Sequence, residues 1–139
     1  MPKRFSLGKN ERLKSRKLIE QLFGEGKNFV VAPYRVYYFI NSKGFDTQNS
    51  SSRIHFGVGV SGKNFKKAVD RNKIKRLTRE AYRLQQNELK ETVKVNQSLR
   101  LFFIYTAKEL PRFSDVKDKV KIGLNKLIKL IDENNSSNS

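Results

Sequence analysis

Cations at helical spacing dominate one stretch of the sequence. Arg71, Lys75, Arg79 and Arg83 follow one another every four residues, and residues 63–84 hold nine basic side chains against two acidic ones. Like charges at this spacing repel each other by about a few tenths of a kcal/mol per pair in a helix. A solvated surface helix usually mixes the two signs instead. The ladder therefore predicts a binding face for a polyanion, and nucleic acid is the favoured one.

The helix that carries this ladder also has an apolar side. With about 100° of rotation per residue, Ile74, Leu77, Ala81 and Leu84 fall in one narrow sector. A sector of this kind is expected to pack on the protein core. The opposite side is expected to present cations with an asparagine and a tyrosine among them, namely Arg71, Asn72, Lys75, Arg76, Arg79, Tyr82 and Arg83.

No set of residues in the sequence predicts a catalytic site on the protein itself. His55 is the only histidine, and it stands in a strand-like stretch without an acidic neighbour, which favours a structural or RNA-contacting role. The acidic residues are dispersed, and no metalloprotease, serine-hydrolase or phosphate-loop pattern occurs. The absence of cysteine excludes disulfides, thiolate catalysis and cysteine-based zinc sites. These side chains predict a protein that binds and does not cleave.

Length and charge restrict the class of protein further. A chain of 139 residues predicts one domain with a single core. Its net charge of +17 points to nucleic acid, an acidic membrane surface or an acidic protein as the partner. No apolar run approaches the roughly 20 residues of a membrane span, and the first ten residues lack the apolar core of a signal peptide. The sequence therefore predicts a cytoplasmic protein without a membrane partner.

The stretches around the basic helix predict the elements that hold it. Asn10 is expected to cap a first helix that ends at Gly24 or Gly26. Aromatic and β-branched runs predict strands, and Ser114 is expected to cap a last helix that reaches Ile131. Glycines at alternate positions of the third strand leave a bare strip that another backbone or side chain can approach. The predicted strands cover residues 29–31, 34–41, 53–61 and 99–106.

Two further segments have the composition of irregular structure. Residues 43–52 predict a mobile loop, and residues 132–139 a disordered tail. The folded domain is thus expected to span residues 1–131, and the order of helix, two or three strands, helix, strand, helix predicts an α+β sandwich.

Residues 58–83 closely resemble the most diagnostic region of the protein subunit of bacterial ribonuclease P. The hallmark of that family is an RNRxKR-type motif that opens a helix, and it corresponds here to residues 71–76, with Arg79 following. The basic N-terminus, the helix that ends in the sequence LFGEG and the apolar strand before the last helix agree as well. The resemblance covers about residues 4–131.

The resemblance implies a fold and a function. The fold is a two-layer α-β sandwich of order α-β-β-β-α-β-α with a left-handed βαβ crossover, although right-handed crossovers are the default. The protein is expected to join a catalytic RNA as a monomer within a ribonucleoprotein that removes the 5′ leader of precursor tRNA. Mg²⁺ is expected to act through the RNA subunit, with none bound by the protein alone.

The resemblance also implies the roles of individual residues. A cleft between the first helix and the sheet takes the single-stranded leader, with Ile19, Phe23 and Tyr38 at the matching positions and with His55 and Lys63 beside them. Three positions depart from the family pattern, since Lys73 replaces an arginine, Ile19 an aromatic residue and Gly62 a lysine. The residues expected to bind the RNA subunit are Arg71, Asn72, Lys73, Lys75, Arg76, Arg79 and Arg83.

Two other classes of function stay open on the residues alone. One is a ribosomal protein or general RNA-binding chaperone that uses the same basic helix. The other is a metal-dependent nuclease that acts without RNA. Cleavage of precursor tRNA by the purified protein, and the identity of co-purified RNA, distinguish these alternatives.

Overall fold

The residues that the structure describes form four helices and a four-stranded sheet. The computed structural model describes residues 12–13, 15–41, 54–93 and 97–137. Their arrangement confirms the predicted α+β class, with one short helix, α3, added before the last strand. In chain order the elements are α1 (Arg16–Glu25), β1 (Lys27–Val31), β2 (Tyr34–Asn41), β3 (Ile54–Val60), α2 (Ala68–Gln85), α3 (Asn87–Thr92), β4 (Ser98–Tyr105) and α4 (Phe113–Ser137).

The strands of the sheet follow the order β1-β2-β4-β3. Strand β2 pairs antiparallel with β1 and with β4. Strand β3 pairs parallel with β4, so the chain must cross over between them through α2 and α3. This arrangement confirms a βαβ unit around the basic helix, and its left-handedness stays a prediction. Because β3 ends the strand order, α2 leaves the sheet at its edge.

The two faces of the sheet bury different sets of residues, because side chains alternate along a strand. On one face Val36, Phe103 and Leu101 are fully buried beneath α2 and α4. On the other face Phe102 packs with Leu13 and Leu22, the second of which belongs to α1. The basic helix and the first helix therefore lie on opposite faces of the sheet.

The first helix begins at a different residue from the predicted one. Helix α1 begins after Ser15, whose Oγ accepts a hydrogen bond from the backbone N–H of Leu18 at 3.4 Å. The predicted cap, Asn10, falls outside the described residues. The other end is as predicted, since the Gly26 N–H donates to the Leu22 carbonyl at 2.8 Å. Serine is among the residues favoured at this position, because its hydroxyl accepts from a backbone N–H of the first turn.

The last helix is longer than predicted. Helix α4 already includes Ser114, the expected cap, and continues to Ser137. Residues 132–137, predicted as part of a disordered tail, are therefore helical. The predicted loop at residues 43–52 lies outside the described residues.

Candidate nucleic-acid interface

Helix α2 is rotated relative to the orientation predicted from its apolar residues. Ile74 and Ala81 are fully buried as expected, but Leu84 is 47% exposed. Tyr82, predicted on the cationic side, is buried and stacks on Phe56 of β3. Thr78 is also buried, because its hydroxyl is hydrogen-bonded to the Tyr34 hydroxyl at 2.7 Å and donates to the Ile74 carbonyl at 2.8 Å. The predicted core position of Leu84 is therefore wrong, as is the exposed position of Tyr82.

The four cations of the ladder do not share one face of the helix. An i to i+4 step advances the side chain by about 40° beyond one full turn, so four such residues follow a spiral and not a single face. Arg71 lies close to the loop before the helix, Lys75 and Arg79 line a cavity, and Arg83 contacts an acidic neighbour.

Arg71 makes contacts within the protein. Its Nη1 donates hydrogen bonds to the backbone carbonyls of Phe65 at 2.8 Å and Lys66 at 2.9 Å. These bonds tie the loop that follows β3 to the first turn of α2. Arg71 thus has a structural role that the sequence did not predict, and its remaining N–H groups are left for a ligand.

Arg83 is paired with Glu80, which lies one helical turn before it. Its Nη2 is 2.7 Å from the Glu80 Oε1. Hydrogen bonding to this carboxylate raises the pKa of Arg83, so the guanidinium stays charged. The pair neutralises this end of the ladder, which makes Arg83 the weakest of the predicted RNA contacts.

The outward surface of α2 is formed by the residues between these ladder positions. Asn72, Lys73 and Arg76 are exposed, and so are Lys66 and Lys67 in the preceding loop. This outward surface keeps its cations in water, where they can neutralise phosphates and release counterions.

A cavity of about 410 Å³ lies along the outer edge of β3. Helix α2 borders it on one side, while α1 and the segment before α1 border it on the other. We call this space the cleft. Its lining residues include Arg12, Ile19, Gly57, Gly59, Lys75 and Arg79.

The glycines of β3 leave room for the ring of Phe102. A Cβ atom at Gly57 would come within 2.6 Å of the Phe102 ring, and one at Gly59 within 3.0 Å. The bare strip expected from the sequence is therefore confirmed, and the side chain that approaches it is Phe102. Phe102 also lines the cleft.

Three aromatic rings form a cluster beside the cleft. Phe23 of α1 is 41% exposed, and its ring centroid lies 4.7 Å from that of Tyr37 and 5.4 Å from that of Phe102. We call these three residues the aromatic cluster. The partly exposed Phe23 ring can accept a stacked base, which is a sequence-independent mode of binding single strands.

Tyr38 is not part of this cluster, so its predicted place in the cleft is wrong. It is buried on the opposite face of the sheet, where its ring lies 5.9 Å from that of Phe29. The tyrosine on the α1 side is Tyr37, since neighbouring strand residues point to opposite faces. Strand alternation from the buried Tyr34 and Val36 contains this signal.

His55 and Lys63, predicted in the cleft, are not among its lining residues. His55 is half-buried on the α1 side of β3, in register with Arg100 of β4. Burial and the nearby Arg100 charge lower the pKa of His55, so its neutral form is favoured. Lys63 is exposed in the loop after β3.

Arg79 lies close to two other cations. Burial lowers the pKa of Arg79, and the charges of Arg12 and Arg76 lower it further. Arg12 was not expected in the site from the sequence, and neither were Tyr37 and Phe102. Arg12 reaches the cleft because its backbone forms a parallel bridge with Phe56, a long-range pairing that no local pattern reveals.

The described residues of the site contain neither a metal-binding cluster nor a membrane-spanning helix. Within those ranges no three histidine, cysteine, aspartate or glutamate side chains come together in a group that could hold a metal ion. None of the helices formed by the same residues combines the length and the apolar character that crossing a membrane requires.

Comparison with known proteins identifies the family of the chain. A family model described as Ribonuclease P matches residues 7–128. A ribonuclease P protein component from Porphyromonas gingivalis is 40% identical over 117 residues, which make up 84% of this chain and 82% of that protein. One from Chlorobium phaeobacteroides is 29% identical over 123 residues and covers 83% of both chains.

Solved structures resemble the fold. The RNase P protein from Thermotoga maritima superimposes with a TM-score of 0.62 at 25% identity, over 84% of this chain and 96% of that one. The Staphylococcus aureus RNase P protein gives a TM-score of 0.65 at 19% identity, over 87% and 97% of the two chains. Since the family model spans most of the sequence and the Porphyromonas relative is similar over 84% of it, the chain belongs to the ribonuclease P protein family.

Proposed function

We propose that this chain is the protein subunit of a ribonuclease P ribonucleoprotein, in which it binds a catalytic RNA and the 5′ leader of precursor tRNA. The complex is an endoribonuclease that matures the 5′ end of tRNA. In this proposal the RNA carries out cleavage with Mg²⁺, and one protein monomer supplies binding and positioning. Because precursor tRNA is its substrate, the proposal places the complex in the cytoplasm.

One observation carries the proposal. The cationic cleft and the exposed outward surface belong to the same helix, α2. Lys75 and Arg79 line the cleft, whereas Asn72 and Arg76 are exposed and are not among its lining residues. A single rigid element can therefore hold two RNA segments in a fixed relation to each other.

The outward surface suits a structured RNA. Lys73 and Arg76 are exposed there, so they bind phosphates without first losing a partner inside the protein. An arginine presents a planar fork to a phosphate, while a lysine acts as a compact charge. Such contacts position an RNA without reading its sequence.

The cleft suits a single strand. The aromatic cluster offers Phe23 as a stacking surface at the α1 side, and Lys75 and Arg79 offer charge at the α2 side. An electropositive groove combined with aromatic stacking is the common mode of binding unpaired nucleic acid. Precursor leaders of different sequence are thus expected to bind alike.

Reconstitution tests the proposed function. The purified protein is added to its cognate catalytic RNA, and cleavage of precursor tRNA is measured at low Mg²⁺ with and without protein. We expect the protein to increase cleavage and to do nothing by itself. Cleavage by the protein alone would establish the nuclease alternative. Recovery of ribosomal RNA without the catalytic RNA from the native complex would establish the ribosomal or chaperone alternative.

A further inference from the structure

Two arginines approach the cleft from different parts of the chain. We propose that Arg12 and Arg79 together bind one phosphate group of the RNA strand in the cleft. Arg12 comes from the segment before α1, and Arg79 comes from α2. The inference rests on the proposed function, because it assumes that a single-stranded leader enters the cleft. It adds a specific anion site to that function and assigns a role to Arg12.

The backbone of Arg12 is held in place. Arg12 forms a parallel bridge with Phe56, and the N–H of Leu13 donates to the Phe56 carbonyl at 2.8 Å. The side chain starts from this fixed point at the outer edge of β3 and lines the cleft. Because the backbone is already held here, binding of a ligand does not have to order it, which favours affinity.

Arg12 also has an unused hydrogen-bond donor. Its Nε is buried and finds no acceptor among the residues that the structure describes. A buried donor without an acceptor is unfavourable by the desolvation free energy of that group. A phosphate oxygen in the cleft is the kind of acceptor that restores the missing bond, because guanidinium and phosphate pair through parallel hydrogen bonds.

Arg79 supplies the second side of the site. It is half-buried, and its pKa is lowered by burial and then by the charge of Arg12. The two guanidinium groups therefore repel each other in the free protein. An anion between them removes this repulsion and compensates the desolvation of both groups.

The rest of the lining favours an anion of this class. The charged residues that line the cleft within the described ranges are Arg12, Lys75 and Arg79, and all three are cations. The ring of Phe102 packs against the glycines of β3 and forms an apolar wall of the cleft. A phosphodiester brings the negative charge, and the cleft of about 410 Å³ has space for this group.

A neutral-linkage scan tests the pairing. Precursor tRNAs are prepared with one uncharged methylphosphonate at each leader linkage in turn, and an otherwise identical precursor with a normal phosphate is the reference. Their affinities are measured for the assembled holoenzyme containing the unchanged protein, R12Q or R79Q. At one linkage we expect the neutral group to weaken binding about tenfold in the unchanged holoenzyme, as for loss of a charged hydrogen bond. The same neutral group should have little further effect with R12Q or with R79Q.

Matched variants make the result specific. K117Q removes one positive charge from an exposed position of α4, away from the cleft, and its scan should equal that of the unchanged protein. R12K and R79K keep the charge but lose the fork, so they should retain part of the coupling even if a glutamine variant folds poorly. Thermal melting of each variant checks its fold.

The outcomes separate the two hypotheses. Coupling of Arg12 and Arg79 to different linkages, or to none while the leader still increases affinity, would overturn the shared phosphate site and leave the proposed function intact. Equal affinity for precursors with and without a leader would overturn leader binding, and the phosphate site with it.

Discussion

The ring of Phe56 in β3 lies flat against the ring of Tyr82 in α2, with centroids 4.1 Å apart and planes 3° apart. Both side chains are almost fully buried. This stack fixes the rotation of α2 on the sheet. Because Lys75 and Arg79 lie on the helix sector next to Tyr82, the same stack directs them toward the cleft.

Replacement of Tyr82 tests this role. Tyr82→Ala should lower the free energy of unfolding by about 3–5 kcal/mol, as expected when a large buried aromatic side chain leaves a cavity. Urea denaturation measures the change. Leu84→Ala is the control in the same helix, and it should change stability by about 1 kcal/mol or less, because Leu84 is 47% exposed. Equal losses for the two variants would contradict the observed rotation of α2.

The orientation of α2 shows what the sequence can and cannot predict about packing. Local periodicity identifies the helix, and the β-branched and aromatic runs locate the strands to within a residue or two. The apolar positions of the helix favour Leu84 over Thr78 as a core residue, because a threonine is polar. Thr78 becomes buried through its hydrogen bond to Tyr34, 44 residues earlier in the sequence. A partner that distant cannot be read from the pattern of one helix.

The candidate site also contains some residues that the sequence predicts and others that only the structure shows. The family resemblance places Ile19 and Phe23 at the cleft, and the structure finds them on or beside it. Lys75 and Arg79, which the resemblance assigns to the RNA subunit, line the cleft instead. The prediction for Tyr38 is wrong because the sequence does not show which face of β2 lies toward α1. A shift of one residue along a strand moves a side chain to the other face. Arg12, Tyr37 and Phe102 are brought in by sheet pairing, which only the three-dimensional structure reveals.

Arg71 and Arg76 belong to the same motif but should respond differently to replacement. Arg76→Ala should weaken binding of the catalytic RNA and lower the slope of log affinity against log salt by about 0.7–0.9, with unchanged stability. Arg71→Ala should also lower stability by about 1 kcal/mol, because Arg71 donates to the carbonyls of Phe65 and Lys66. Salt titrations and urea denaturation measure the two effects. Identical behaviour of the two variants would show that the Arg71 hydrogen bonds contribute nothing.

The aromatic cluster should distinguish precursors that carry a leader from those that do not. Phe23→Ala should weaken holoenzyme binding of a leader-bearing precursor by about 1–3 kcal/mol, the contribution of one base stacked on an aromatic ring. Binding of a leaderless precursor should stay unchanged. Affinity measurements on both substrates provide the test.

Neighbouring tyrosines of β2 supply its control. Tyr37→Ala should share the leader-dependent loss, because Tyr37 contacts Phe23. Tyr38→Ala removes a buried ring on the other face of the sheet, so it should reduce stability without a preference for leader-bearing substrate. A leader-specific loss for Tyr38→Ala but not for Tyr37→Ala would show that the leader binds the other face of the sheet.

His55 should make stability depend on pH in the acidic range. Burial and Arg100 lower its folded-state pKa below the ordinary value of 6.5, so the unfolded chain binds a proton more readily. Its contribution is therefore present above about pH 6.5 and is lost as the pH falls through the lowered pKa. Urea denaturation between pH 8 and pH 5 should show a steeper decrease for the unchanged protein than for His55→Gln. Parallel curves would show that His55 has the same pKa in both states.

The glycine strip of β3 determines the shape of the cleft. A Cβ atom at Gly57 would lie 2.6 Å from the Phe102 ring and 3.0 Å from the Leu13 carbonyl oxygen. Gly57→Ala must therefore displace a ring that lines the cleft, together with the segment that carries Arg12. We expect a loss of about 1–3 kcal/mol in stability, as for overpacked cores, and weaker leader binding. Gly62→Ala is the matched control, since no atom lies within 4 Å of its added Cβ. It should change neither property, and a Gly57→Ala variant as stable as Gly62→Ala would mean that Phe102 can move without cost.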